Sequence, residues 1–292
     1  MRESLKKRSK ELGLALLNFA LVLGLLLGAR ALIRGRAGDT KGLVILSGVV
    51  FSAYLAGTQW IEGHQPPELA WKGAVTEFTG GLGLGIALFS AVMGLLWIAG
   101  DYHPAGHGST SGLAKGALTA LMVGIGEETL VRGFVFRIVE IAGGTWIGVL
   151  VSSALFGAGH AFNPGATILS SIAIALEAGV LLAAAYVVTG RLWFAISLHT
   201  GWNFTEGSLF GMSVSGNNTT PGLIGGTLKG RAILTGGAFG PEASIFAVAI
   251  CLAVAMLLLW RSVQLHRVKA PMWAVPPHPP SRRASGQLYP RF

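Results

Sequence analysis

Acidic residues are scarce in this chain. Of 292 residues only 13 are Asp or Glu, against 22 Lys or Arg, and charged residues of both signs make up just 12%. Soluble domains carry roughly twice that proportion of charge, so a water-facing globular fold is excluded. Cysteine is rarer still. The single Cys251 can form no internal disulfide and falls in an apolar run, where packing is its ordinary use. No H-E-x-x-H string occurs, so the single-helix zinc protease signature is missing. The chain also lacks any polar stretch long enough for a soluble domain and any obvious internal repeat.

What the chain has in quantity is apolar surface. Hydrophobic residues reach 52%, glycine numbers 43, and the mean hydropathy is +0.61. A membrane core about 30 Å thick takes roughly 20 apolar residues per helical crossing. Runs of this kind lie at 12–33, 43–61, 82–99, 113–125, 146–162, 168–188, 192–204 and 243–260, the fourth and seventh being short and containing polar residues. The pattern predicts an all-α, polytopic integral membrane protein with about eight transmembrane helices. The first run continues past the length of a signal sequence and carries no convincing small-residue cleavage site, so it is read as a retained helix.

Basic residues flank the ends. Arg2, Lys6, Lys7, Arg8 and Lys10 precede the first run, and Arg261, Arg267, Lys269, Arg282, Arg283 and Arg291 follow the last without one acid. This distribution places both termini in the cytoplasm of a cell inner or plasma membrane. Arg30, Arg34, Arg36 and Lys41 in the first connection run against that orientation. The net charge of +9 sits largely in these flanks, where anionic lipid is a better partner than nucleic acid. The stretches 62–78, 101–112 and 205–240 read as loops from their Gly, Ser, Asn and Pro clusters, and the tail from Ala270 as disordered. Overlapping N-x-T sequons begin at Asn217 and Asn218.

Ionisable groups at membrane depth are kept mainly where they face a cavity or one another. Three clusters qualify. In IGEETLVR, Glu128 and Arg132 at i, i+4 share a helical face while Glu127 points about 100° away. One carboxylate is therefore held by the arginine and the other is free to act as a general base. The plain alternative is an ion-paired interfacial helix that includes Arg137 and Glu140. In FGAGHAFNPG, His160 lies near a helix end that Pro164 and Gly165 terminate. In SLHTGWNF, His199 and Asn203 share one face and could donate to a developing oxyanion. Glu177, alone in the sixth run, has no partner at helical spacing. Two Glu, two His and an Asn near helix ends on three separate runs point to a shared, water-accessible cavity.

The ordered triplet Glu127-Glu128-x-x-x-Arg132, Phe156-x-x-x-His160 and His199-x-x-x-Asn203 resembles the motifs of the CAAX prenyl protease and bacteriocin-processing family, also called Abi or type II CAAX endopeptidase-like proteins. The likeness runs from about residue 113 to 216. It implies an intramembrane endopeptidase with an eight-helix core and a conical cavity opening toward the cytoplasm. Glu127 would activate water together with His160, His199 and Asn203 would stabilise the oxyanion, and Glu128 with Arg132 would support the site. Residues 1–104 would then be additional transmembrane helices, 105–260 the catalytic core and 261–292 a basic tail.

The family is often described as metallopeptidase, and Glu127, His160 and His199 would form the zinc set if a divalent metal were used. Activation by Glu127 and His160 without a metal is the preferred reading, because the three residues lie on separate helices. The expected partners are membrane lipid and a membrane-associated peptide or protein substrate, with a prenylated CAAX protein as the family analogy. Two other classes stay open: a non-catalytic bacteriocin self-immunity or scaffold protein, and a proton-coupled transporter, although no inverted repeat of the kind transporters show is visible.

Overall fold

The computed structural model of the chain describes residues 2–33, 35–36, 38–217 and 222–274. Arg34, Asn218 and the arginines of the tail, Arg282, Arg283 and Arg291, lie outside the described residues. The fold is mostly helical. Among the described residues six helical stretches are long and apolar enough to cross a membrane. In chain order the helices are α1 (Arg2–Leu32), α2 (Thr40–Trp60), α3 (Ala74–Ile98), α4 (Leu113–Glu128), α5 (Arg137–His160), α6 (Ile168–Ile174), α7 (Val180–Thr189), α8 (Leu192–Phe204), α9 (Ala232–Thr235) and α10 (Ile245–Gln264).

The expected fourth and fifth runs are joined differently from the sequence reading. No loop separates them, because α4 passes through a π-helical segment, Thr129–Phe136, directly into α5. The reversal falls inside α5, at Gly144, whose φ of 78° and ψ of 172° are non-helical. A straight helix would separate residues 24 apart by about 36 Å, yet the Arg132 guanidinium lies 4.7 Å from the Phe156 ring. The chain therefore doubles back at Gly144, and its lack of a side chain is required there. A Cβ would stand 2.7 Å from the Lys269 carbonyl oxygen.

The segment after α10 makes that contact. Thr145 and Lys269 exchange two hydrogen bonds, the Thr145 N–H donating to the Lys269 carbonyl at 3.1 Å and the Lys269 N–H to Thr145 Oγ1 at 2.9 Å. Lys269 Nζ reaches Glu140 at 2.7 Å. Residues 267–271 are thus strapped over the reversal, and the stretch 133–140 is core rather than an interfacial amphipathic helix. Phe134, Phe136 and Glu140 are buried, and Arg137 forms a bidentate pair with Glu62.

Helix α8 is the central element, packed between α3, α4 and α7. Nine of its 13 residues are buried, so protein rather than lipid surrounds it, and polar side chains are tolerated along it. The approach of α3 is close enough that a Cβ on Gly85 would collide with the Leu198 carbonyl and stand 2.7 Å from the Trp202 nitrogen. Small residues at the crossing are the general means by which membrane helices approach. The stretch 101–112, read as a loop, contains β1 (Tyr102–His107), which pairs antiparallel with β2 (Ile224–Leu228). Tyr102 of this short ribbon is buried in the main hydrophobic core, and the all-α class stands with that addition.

Candidate active site

Three chain segments bring the motif residues together. Glu128 and Arg132 sit at the junction of α4 with the π-helical segment and are fully buried. Arg132 Nη1 donates to Glu128 Oε1 at 2.8 Å, as the i, i+4 spacing predicts. The other side of the guanidinium reaches the Gly179 carbonyl at 3.0 Å and its flat face covers Phe156. The same Glu128 oxygen receives a second donor from α8, with His199 Nδ1 at 3.1 Å. The second glutamate of the pair is therefore held from two directions.

Glu127 is placed differently. It is half-buried, its Oε2 is shielded from solvent without a hydrogen-bond donor, and it lies near enough to act electrostatically on His199 and Arg132. Glu128 Oε2 is likewise without a donor, and Glu127 does not border the pocket that His160, His199 and Asn203 share.

His160 closes the end of α5. Its Nδ1 lies 2.8 Å from the Phe156 carbonyl, so Nδ1 carries the proton and Nε2 presents a lone pair. Its ring stacks on Phe156 at 4.7 Å between centroids, and the same Phe156 ring meets His199 at 6.0 Å. Phe156 therefore sets the relative position of both histidines. Helix α5 ends at His160, and Asn163 then ties the following turn to the Ser215 carbonyl at 3.0 Å.

His160, His199 and Asn203 line one pocket with Phe156, Trp202, Ser215 and two carboxylates, Glu177 and Glu242. Sequence reasoning left Glu177 without a role and did not single out Glu242. Glu177 lies in a second π-helical segment, Ala175–Gly179, between α6 and α7. Glu242 lies in a turn, Pro241–Ala243, just before α10. A third buried carboxylate, Glu206, comes from a π-helical segment that continues α8, Thr205–Leu209, and lies within hydrogen-bonding reach of Glu242 once a proton is shared. Burial pushes the Glu242 carboxyl above its ordinary value. Local π geometry is frequent at functional sites, and here each such segment carries or adjoins a buried charged group of this region.

The candidate zinc set does not fit. Among the described residues no three His, Cys, Asp or Glu side chains are arranged to hold a metal ion. Glu127, His160 and His199 are therefore given no metal, and no step below passes through one.

The fold and the site together define a multi-pass α-helical membrane protein whose interior gathers Glu, His and Asn side chains around a small pocket. Residues 109–205 match the family model described as type II CAAX prenyl endopeptidase Rce1-like, which is the family the three motifs resemble and a family of proteases. The match takes in Glu127 to Arg132, Phe156 to His160 and His199 to Asn203, and leaves α1 to α3 and α10 outside it. No curated protein and no solved structure matches the chain.

Proposed function

We propose that the protein is an intramembrane endopeptidase that hydrolyses a peptide bond in a membrane-associated protein or peptide near the cytoplasmic face. The observation that carries this reading is the division of labour between two adjacent glutamates. Glu128 accepts from Arg132 and His199 through Oε1, its Oε2 having no donor, whereas the Glu127 carboxylate enters no ion pair or side-chain hydrogen bond among the described residues.

In this reading Glu127 and the Nε2 lone pair of His160 take a proton from water as its oxygen adds to the scissile carbonyl carbon. The carbonyl oxygen becomes an oxyanion and receives hydrogen bonds from Asn203 and His199. Because the Nδ1 proton of His199 is committed to Glu128, the ring donates from Nε2 only as the imidazolium, and Glu127 and Glu128 supply the countercharge. The tetrahedral intermediate then collapses, the C–N bond breaks, and the proton held by Glu127 and His160 passes to the leaving nitrogen. Glu128 and Arg132 hold α4 and α8 in register. A prenylated CAAX protein is one substrate of the type that the family match suggests.

Comparison of membranes containing the wild-type protein with membranes containing Glu127→Ala tests the reading. At equal expression, one or more peptides accumulate uncut in the variant. Identical peptide profiles would contradict hydrolysis.

A further inference from the structure

The pocket continues past the motif residues to Glu177 and Glu242. Both are almost wholly buried, at 1% and 2% exposure, and each has an Oε1 that accepts no hydrogen bond. Glu177 meets the Cys251 thiol and the Ala178 N–H, and Glu242 meets Glu206 and Ser215, with the His160 ring near enough to act on it electrostatically. Among the described residues neither carboxylate forms an ion pair, and Arg132 is already committed to Glu128. Two aromatic side chains share the lining with aliphatic ones. Trp202 and Phe156 line the same pocket, and the Trp202 ring is held edge-on by Phe89 at 5.0 Å.

Buried oxygens without donors are uncommon in folded proteins, since each loses its water without gaining a partner. Two of them facing one pocket, beside aromatic faces that attract cations, complement a group rich in N–H donors and positive charge. A metal ion is a poorer occupant, because no third ligand is arranged to complete its coordination. We propose that this end of the pocket is a subsite for a cationic substrate group, the ammonium of a lysine or the guanidinium of an arginine side chain, received by Glu177 and Glu242 between Phe156 and Trp202. The subsite rests on the peptidase reading only for the molecule that carries the cation. With His160 and His199 on the same pocket, it would select a basic residue close to the scissile bond.

Two arms test this with the full chain in detergent micelles. In the first, n-butylammonium chloride is titrated at constant ionic strength and thermal stability is followed, with butan-1-ol as the uncharged control. A saturable rise in the melting midpoint is expected with the ammonium alone, and a midpoint concentration at least tenfold higher in Glu177→Gln and in Glu242→Gln. The Glu127→Gln variant should bind it as the wild type does. In the second arm, membrane-anchored peptides that differ only by lysine or norleucine at successive positions are offered to the wild-type protein, which needs no variant to fold. A preference of tenfold or more for lysine in kcat/KM is expected at one position. Absence of saturable ammonium binding, or equal binding by the wild type and both Gln variants, overturns the subsite, as does cleavage with no lysine preference at any position. Intact ammonium binding with no peptide cleaved would instead overturn the peptidase reading and leave the subsite standing.

Discussion

Glu128, Glu62 and Glu140 each meet a basic side chain at 2.6 to 2.8 Å, from Arg132, Arg137 and Lys269 respectively. Glu177, Glu206 and Glu242 are buried as deeply and meet none among the described residues. The first group surrounds the helical stretch from α4 through the reversal at Gly144 and joins it to α1, α2, α8 and the segment after α10. The second borders the pocket that holds His160, His199 and Asn203. A buried charge with its counterion already in place is committed to holding helices together, whereas one without a counterion must keep a proton or wait for a ligand. Glu127, the chain neighbour of Glu128, likewise enters no ion pair among the described residues, and Glu68, buried with a hydrogen bond from Tyr54, is a carboxylate without a cation that lies away from the pocket.

This contrast can be broken in order of expected effect. Arg132→Leu leaves Glu128 buried without its cation and is expected to lower stability by about 3–5 kcal/mol, read as a drop in the melting midpoint with loss of cleavage. A melting midpoint unchanged from wild type would remove Glu128 from the scaffold group. Glu62→Gln should cost less, and its effect should depend on pH. Burial alone would raise the Glu62 carboxyl, but the hydrogen bonds and charge of Arg137 outweigh it and hold the folded value below the ordinary 4.5. A lowered folded value contributes stability above pH 4.5 that is lost as pH falls through the folded value. Wild type and Glu62→Gln should therefore differ at neutral pH and converge in acid, as melting curves across that range would record.

Lys269→Ala removes a pair whose ammonium is largely exposed, and a loss of no more than about 1 kcal/mol is expected. Glu206→Gln sharpens the comparison from the other side. Replacing a carboxylate that has no counterion by a neutral amide should leave the melting midpoint unchanged or raise it, the reverse of what Arg132→Leu does. A fall as large as that of Arg132→Leu would show that Glu206 belongs with the scaffold.

Of the scaffold pairs only Glu128 with Arg132 was legible in the sequence, because it is local, whereas Glu62 with Arg137 and Glu140 with Lys269 join residues 75 and 129 positions apart. Glu128 and Arg132 are one helical turn apart, and His199 with Asn203 likewise, so spacing alone set their faces. The apolar runs gave the all-α membrane class for the same reason. The reversal at Gly144 was not legible, since helical residues flank it on both sides and the strap that fixes it arrives from Lys269, more than a hundred residues on. The pocket carboxylates were missed for a related reason. Glu177 and Glu206 sit in π-helical segments, where side chains are rotated from the faces that 3.6-residue spacing assigns. Glu242 lies in a turn within a glycine-rich stretch, and only the tertiary packing of that turn on α6 and α10 brings it to His160. The one signal available was the price of a charge at membrane depth, which marked Glu177 as unexplained without indicating its companions.

The central claim is that Glu127 takes the proton of the attacking water while Glu128 supports the site. It is tested most directly by the cleavage rate per folded molecule of Glu127→Gln in reconstituted membranes, with a melting curve on the same sample. The account predicts a rate lower by about 10²–10⁴-fold at an unchanged melting midpoint. Cleavage at the wild-type rate by a fully folded Glu127→Gln would contradict it.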